Sequence, residues 1–423
     1  MKRQSVNLAS TVLAAAASIL VVAGCGRETT AAQQRTCSAP VVAVSPAAPE
    51  LGVGDSLGMA AAYITAGDPC NPAVPAAALR WATTDPTLAT VDSVRGLVTA
   101  VRKGNVGITV HEADSARVLG TTVVHAYTPL YGRIIFTKML HSSYAPYPCP
   151  SGTGTCPPAL WTMAPDGSDQ ELLLDSLNYP ESPRIAPDGR TVVFEDWGLL
   201  YTVDAAGLGK HQIATGLANN YRPTWSHDGR WIMFYGWPSG GTLGQVYQIH
   251  PDGTGLRQLT SGPLGGYSAD WSPDGSSIVF MQEVLDTLGQ LAHWQAAVMD
   301  SGGGNMRLLK AWGCCYTVMD PAWSPGGGTI LVIGPGGSNW GIGRLRLSDT
   351  SYVVLADAQG NRPGEWSPDG STIVYGTGDI WLMNADGSGQ RDVLTDAFIN
   401  MEASWGPAAP AHASPARAAA ARH

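Results

Sequence analysis

The stretch Asp270-Trp271-Ser272-Pro273-Asp274-Gly275-Ser276-Ser277-Ile278-Val279-Phe280 constrains this chain more than any other, because its pattern returns about every 40 to 50 residues through the C-terminal two-thirds. It is a hairpin written in turn chemistry. Pro presets φ near −65° at the second turn position, Asp bonds its own backbone, and Gly takes the left-handed conformation that closes a three-residue loop. The apolar run Ile278-Val279-Phe280 then reads as a buried strand. Copies lie at Ile185-Ala186-Pro187-Asp188-Gly189, at Trp225-Ser226-His227-Asp228-Gly229 and at Trp366-Ser367-Pro368-Asp369-Gly370, while Trp323-Ser324-Pro325-Gly326-Gly327 has lost the Asp. A sixth copy is split. Trp405-Gly406-Pro407 holds its front half and Gly132-Arg133-Ile134-Ile135-Phe136, far upstream, its back half.

A second periodic element follows each hairpin, as in Leu160-Trp161-Thr162-Met163 before Asp166-Gly167, Val246-Tyr247-Gln248-Ile249 before Asp252-Gly253, and Ile380-Trp381-Leu382-Met383 before Asp386-Gly387. Each leads to one more short strand, such as Gln258-Leu259-Thr260, so a unit has four strands. Such units cannot bury both faces alone. A closed ring of six blades, with the split copy as clasp, lets every sheet pack on two neighbours. The prediction is an all-β chain in which the strand bearing Trp405 pairs beside the strand of Ile134 and Ile135. The composition agrees: Gly 51 and Pro 30 against 14% charged residues suit a turn-rich β protein.

These residues carry a family resemblance. The pattern Trp-Ser-Pro-Asp-Gly-x-x-Ile-Val-Phe followed by Ile-Trp-x-Met-x-x-Asp-Gly-Ser resembles the TolB-type six-bladed β-propeller repeat, over residues 131–407. The resemblance implies a fold; propellers host binding proteins, lyases and gating domains alike.

Upstream, Lys2 and Arg3 precede an apolar run from Leu13 to Val22, and Val22-Ala23-Gly24-Cys25 ends it, which marks residues 1–24 as a signal peptide. The small pair before Cys25 resembles a bacterial lipobox, with Cys25 as the acylated N-terminus. Ordinary secretion is the alternative. Residues 25–37 are then a short polar tether, and Gly26, not being Asp, favours outer-membrane sorting, periplasmic or surface facing. Acyl chains at about 0.8 kcal/mol per buried methylene hold a protein firmly to a membrane. Of seven cysteines, six remain. An exported address predicts three local disulfides, Cys37 with Cys70, Cys149 with Cys156, and Cys314 with Cys315. The last is vicinal, with Cα atoms about 3.8 Å apart, so free thiols stand as its alternative.

Residues 38–127 read differently. Short alternating runs, among them Val41-Val42-Ala43-Val44 and Val106-Gly107-Ile108-Thr109-Val110, are separated by turns as in a small β-sandwich. The segment from Leu79 through Trp81, Asp85-Pro86 and Gly96-Leu97-Val98 to Gly104 resembles the bacterial immunoglobulin-like domain of group 2, with Trp81 as core tryptophan. Such domains act as spacers or as adhesive modules. Residues 408–423, rich in Ala and Pro, read as a disordered tail.

No catalytic constellation is written in the chain. The nine histidines show no metal-ligand spacing, there is no Gly-x-Ser-x-Gly elbow, and the Asp-Gly aspartates are turn formers, so neither metal nor cofactor is implied. A net charge of −9 argues against a nucleic-acid partner. The tryptophans at 225, 271, 323, 366 and 405 hold one repeat position and are packing residues. Aromatics outside the repeat fall on loops of the face opposite the hairpin turns. Tyr179, Tyr221, Tyr267, Trp294, Trp312, Tyr316 and Trp340, with Arg222, Asp320 and Arg362, form a candidate ligand rim there. Glu181, Arg184, Asp270, Glu365 and Glu402 add charge near the channel. Two functions fit: a lipid-anchored envelope protein whose propeller binds another envelope protein or a peptide without catalysis, and a carbohydrate-binding or lyase-type propeller that stacks on sugar rings.

Overall fold

In the computed structural model the turn chemistry closes as the sequence demands. At the third copy Gly275 N donates to Ser272 O at 2.8 Å, Ser272 Oγ donates to Asp274 at 2.6 Å, and Ser277 N donates back to Ser272 Oγ at 2.9 Å. Gly275 sits at φ 68° and its counterpart Gly370 at φ 70°, where an L side chain would be strained. The structure describes residues 42–63, 79–113, 117–140, 157–309, 317–335, 340–357, 364–376, 378–396 and 398–409. Among them there are strands and turns and no α-helix.

Six four-stranded antiparallel sheets make the second domain. Their innermost strands are Pro180–Ile185, Asn220–Trp225, Gly266–Trp271, Met319–Trp323, Glu365–Trp366 and Phe398–Trp405, and each touches the next around a closed ring. We number the blades 1 to 5 in that order and call the sixth the closing blade. Its inner strand comes from the end of the chain and pairs with Ile134–Leu140, with Ile134 opposite Trp405 and Ile135 opposite Ser404. The predicted clasp is present. Lys138 strengthens it, pairing with Asp396 at 2.6 Å and lying over the rings of Trp161 and Phe398.

The second strand of a blade is apolar on both faces because both are covered. Phe136, Phe194, Phe234 and Phe280 hold one repeat position and are fully buried. Burying each contributes roughly 1.5–3 kcal/mol. Each apolar cluster joins two adjacent blades, as where Val193, Leu200 and Ile213 of blade 1 meet Trp225, Phe234 and Ile249 of blade 2. The repeat tryptophans are these inter-blade wedges, and Trp225 Nε1 donates to Arg184 O of the preceding blade at 3.1 Å.

The first domain is a sandwich. One sheet orders Glu50–Gly52, Val118–Tyr127, Gly104–Glu112 and Leu79–Thr83, and a three-stranded sheet orders Ser56–Gly58, Leu97–Ala100 and Ala89–Val91. Val106, Ile108 and Val110 alternate into its core beside Val98, Ala89 and Trp81, as period-two patterning requires. Its last strand runs straight into the propeller: Tyr127 is buried with Leu130, Ile135 and Leu160, and Arg190 pairs with Asp55 at 3.3 Å on the hairpin-turn side of blade 1.

Candidate binding site in the propeller channel

The inner strands carry a device that the repeat motif does not spell out. Three positions before the wedge residue, Ser182, Arg222, Ser268, Asp320 and Glu402 all adopt positive φ, between 35° and 55°. A register shift marks the bulge beside each of them. Left-handed backbone at non-glycine residues costs of order 1–3 kcal/mol and persists where the surroundings over-determine it. Here they do. Arg222 donates to Glu402 at 2.8 Å and to Asp320 at 3.3 Å, Ser182 donates to Glu402 at 3.2 Å, and Ser268 to Asp320 at 2.6 Å. Five bulged residues from five blades are thereby tied into one network across the channel. Burial opposes the Arg222 charge, and Asp320 and Glu402 outweigh it, so its pKa lies above the ordinary arginine value.

Two residues further along, Arg184, Asp270, Glu365 and Ser404 face the same channel. Arg184 pairs with Glu365 across it at 2.7 Å. Asp270 accepts the backbone N–H of Trp323 at 2.7 Å. Burial raises the Asp270 pKa above the usual carboxylate value and pushes Glu365 up to about 7, against the lowering influence of Arg184 on both.

These residues line a cavity of about 410 Å³. Its outer ring is built by the turns themselves: Pro187, Pro273, Pro325, Pro368 and Pro407, with His227 in the sixth equivalent place. The His227 Nε2–H donates to Ser272 O at 2.9 Å. The cavity thus lies toward the hairpin-turn face, floored by the Arg222 network.

Of the rim residues expected from sequence, Arg222 and Asp320 belong to that floor. Tyr221 and Tyr267 lie at the opposite ends of their inner strands, where they pack with Tyr235 and Trp237 at centroid distances of 5.5 to 6.1 Å. The Tyr267 hydroxyl donates to Glu283 at 2.8 Å. Tyr179 is 45% exposed, and Trp294 and Trp340 are half-buried; none of the three lines the cavity. Trp312, Tyr316 and Arg362 lie outside the described residues, as do Cys25, Cys37, Cys70, Cys149, Cys156, Cys314 and Cys315. Sequence reading missed the proline ring and the serines at 182 and 268. The available signal was proline two residues after the wedge position in five of six copies. Among the described residues no group of three or more His, Cys, Asp or Glu is placed to hold a metal ion, and no helix is long and apolar enough to cross a membrane.

Residues 39–122 match the family model of the bacterial Ig-like domain (group 2). The crystal structure of TolB from Acinetobacter baumannii superposes with a TM-score of 0.54 at 16% identity, covering 87% of this chain and all of that one. The second domain is a TolB-like propeller. At the sequence level, the Tol-Pal system protein TolB of Anaeromyxobacter dehalogenans strain 2CP-C is 32% identical over 117 residues, 26% of either chain. This chain therefore spans about a quarter of the curated relatives it matches. Hydrazine synthase from Kuenenia stuttgartiensis superposes on this chain with a TM-score of 0.50 at 14% identity, covering 65% of this chain and 46% of that one. A likeness at that identity speaks for fold alone, so the propeller geometry itself has to carry the function.

Proposed function

We propose that this is a cell-envelope protein whose TolB-like propeller binds another envelope protein, or a peptide segment of one, without catalysis, and whose Ig-like domain is a spacer. The observation that carries this reading is the floored cavity at the turn face: six blades converge on it, five prolines and His227 ring its mouth, and Arg222 and Arg184 are engaged with carboxylates across it. Rigid apolar surface with a few fixed polar groups suits recognition of a chain end or side chain. The name of the TolB relatives, a Tol-Pal system protein, supports an envelope partner. Acylation of Cys25 would hold the protein at the membrane, with the three cysteine pairs formed after export.

The test is affinity capture from an envelope extract with the mature protein, beside the variant Ala322→Trp, which fills the cavity, and Trp340→Ala, away from it. A partner identified by mass spectrometry should be lost with Ala322→Trp and kept with Trp340→Ala. Retention by both, or turnover in a polysaccharide degradation screen, would sink the reading. For the anchor, Cys25→Ser should abolish labelling by radioactive palmitate.

A further inference from the structure

We infer that the cavity receives a cationic group, the ammonium of a lysine or of a chain N-terminus or the guanidinium of an arginine, and that Asp270 is its counter-ion. This rests on the peptide-binding reading above and specifies what the bound chain must present.

The inference comes from charge matching inside the channel. Asp270, Asp320, Glu365 and Glu402 stand against two guanidinium groups, Arg184 and Arg222. Arg222 is committed to Asp320 and Glu402, and Arg184 lies 2.7 Å from Glu365. Asp270 takes part in no ion pair among the described residues. Its carboxylate is instead aimed by the Trp323 N–H at 2.7 Å, and the guanidinium acting on it, Arg184, is the one paired with Glu365, so two carboxylates share a single cation. A carboxylate out of bulk water with only part of a counter-charge is costly. An entering cation removes that cost, whereas an entering anion would raise it.

The shape of the cavity agrees. Pro187, Pro273, Pro325, Ile185 and Ala269 line the cavity with Asp270, apolar lining that accepts the methylene stem of a long basic side chain while its charged end reaches the carboxylate. A bare divalent ion is the competing occupant, and it would require ligands that the described residues do not group together.

Calorimetric titration of the full mature protein tests this with the capped tetrapeptides acetyl-Ala-Pro-Lys-Ala-amide, its arginine, norleucine and glutamate counterparts, and calcium chloride. The lysine and arginine peptides should bind about tenfold or more tightly than the norleucine peptide, the scale of one charge-assisted contact. Asp270→Asn, which keeps an acceptor for the Trp323 N–H, should erase that preference, and Asp349→Asn, on an exposed turn away from the cavity, should keep it. Equal binding of lysine and norleucine peptides, no binding of the lysine peptide, or Asp270-dependent binding of calcium alone overturns the inference. If Asp270→Asn still captures the envelope partner that Ala322→Trp loses, the cavity remains the binding site and the cation inference falls.

Discussion

Arg222 of blade 2 reaches Glu402 of the closing blade at 2.8 Å, joining two sheets that are not neighbours in the ring. Glu402 is 2% exposed, so its charge depends on that guanidinium and on the Ser182 hydroxyl. Arg222→Met should cost about 3–5 kcal/mol, the scale for stranding one partner of a buried pair. The double variant Arg222→Met with Glu402→Gln should recover part of the loss. Urea unfolding of the three proteins at neutral pH measures it, and an unchanged midpoint for Arg222→Met would mean that the network contributes nothing.

Ring closure yields a second expectation. Ile134, Ile135 and Phe136 are fully buried, and the inner strand of their blade is Phe398–Trp405. A chain ending at Asp396 loses that strand and uncovers the channel side of the closing blade. Single large buried side chains are worth about 3–5 kcal/mol, and here several lose their cover together. Circular dichroism melts should show a broad transition in place of a cooperative one, with limited proteolysis entering near residue 140. A truncated protein that melts as sharply as the full chain would refute the clasp.

The pH dependence has a definite sign. Glu195, 2% exposed, has its pKa pushed up to about 8 by burial, against the Gly198 N–H that donates to it and with Glu181, Asp196 and Glu402 adding to the rise. A carboxyl whose folded pKa exceeds its unfolded value binds protons more tightly when folded, so its stabilisation is complete below about pH 4.5 and is lost as pH rises through 8. Glu195→Gln removes the titration. The variant should match the parent near pH 5 and exceed it by about 2–5 kcal/mol near pH 9, with Glu365→Gln acting likewise over a window ending near 7. Differential scanning calorimetry from pH 5 to 9 is the measurement, and parallel stability curves would exclude the mechanism.

Much of this architecture is legible in the chain because turn chemistry is local: Ser272, Pro273, Asp274 and Gly275 write the hairpin whatever surrounds them. The channel is not local. Its floor uses the position three before the wedge, occupied by Ser182, Arg222, Ser268, Asp320 and Glu402, five residues with no shared chemistry until the ring brings them together. A repeat alignment reads such a column as variable. The bulge that turns those side chains inward leaves only an indirect trace, the proline that follows at 183, 223 and 321. The exposed-aromatic criterion led to the far face because rings outside a repeat attract notice, whereas prolines inside one are read as turn grammar.

Those Asp-Gly turns also make a prediction about how blades are held. Gly167 (φ 85°) and Gly275 (φ 68°) share the left-handed conformation, so alanine at either meets the same backbone penalty of roughly 1–2 kcal/mol. Their surroundings differ. A Cβ at Gly275 would meet nothing within 4 Å, whereas one at Gly167 would fall 1.9 Å from Val393 O on the outer strand of blade 5. The same close approach recurs where Gly207 meets Leu173 O, Gly303 meets Leu259 O and Gly387 meets Leu355 O, so the turn between third and fourth strands presses backbone to backbone on the preceding blade. Gly275→Ala should therefore lose only the conformational penalty. Gly167→Ala should lose that and the inter-blade contact, about 2 kcal/mol more, since neither backbone yields without shifting a packed sheet. Chemical denaturation of the two variants side by side decides it: equal losses would mean that the turns touch without holding the ring together.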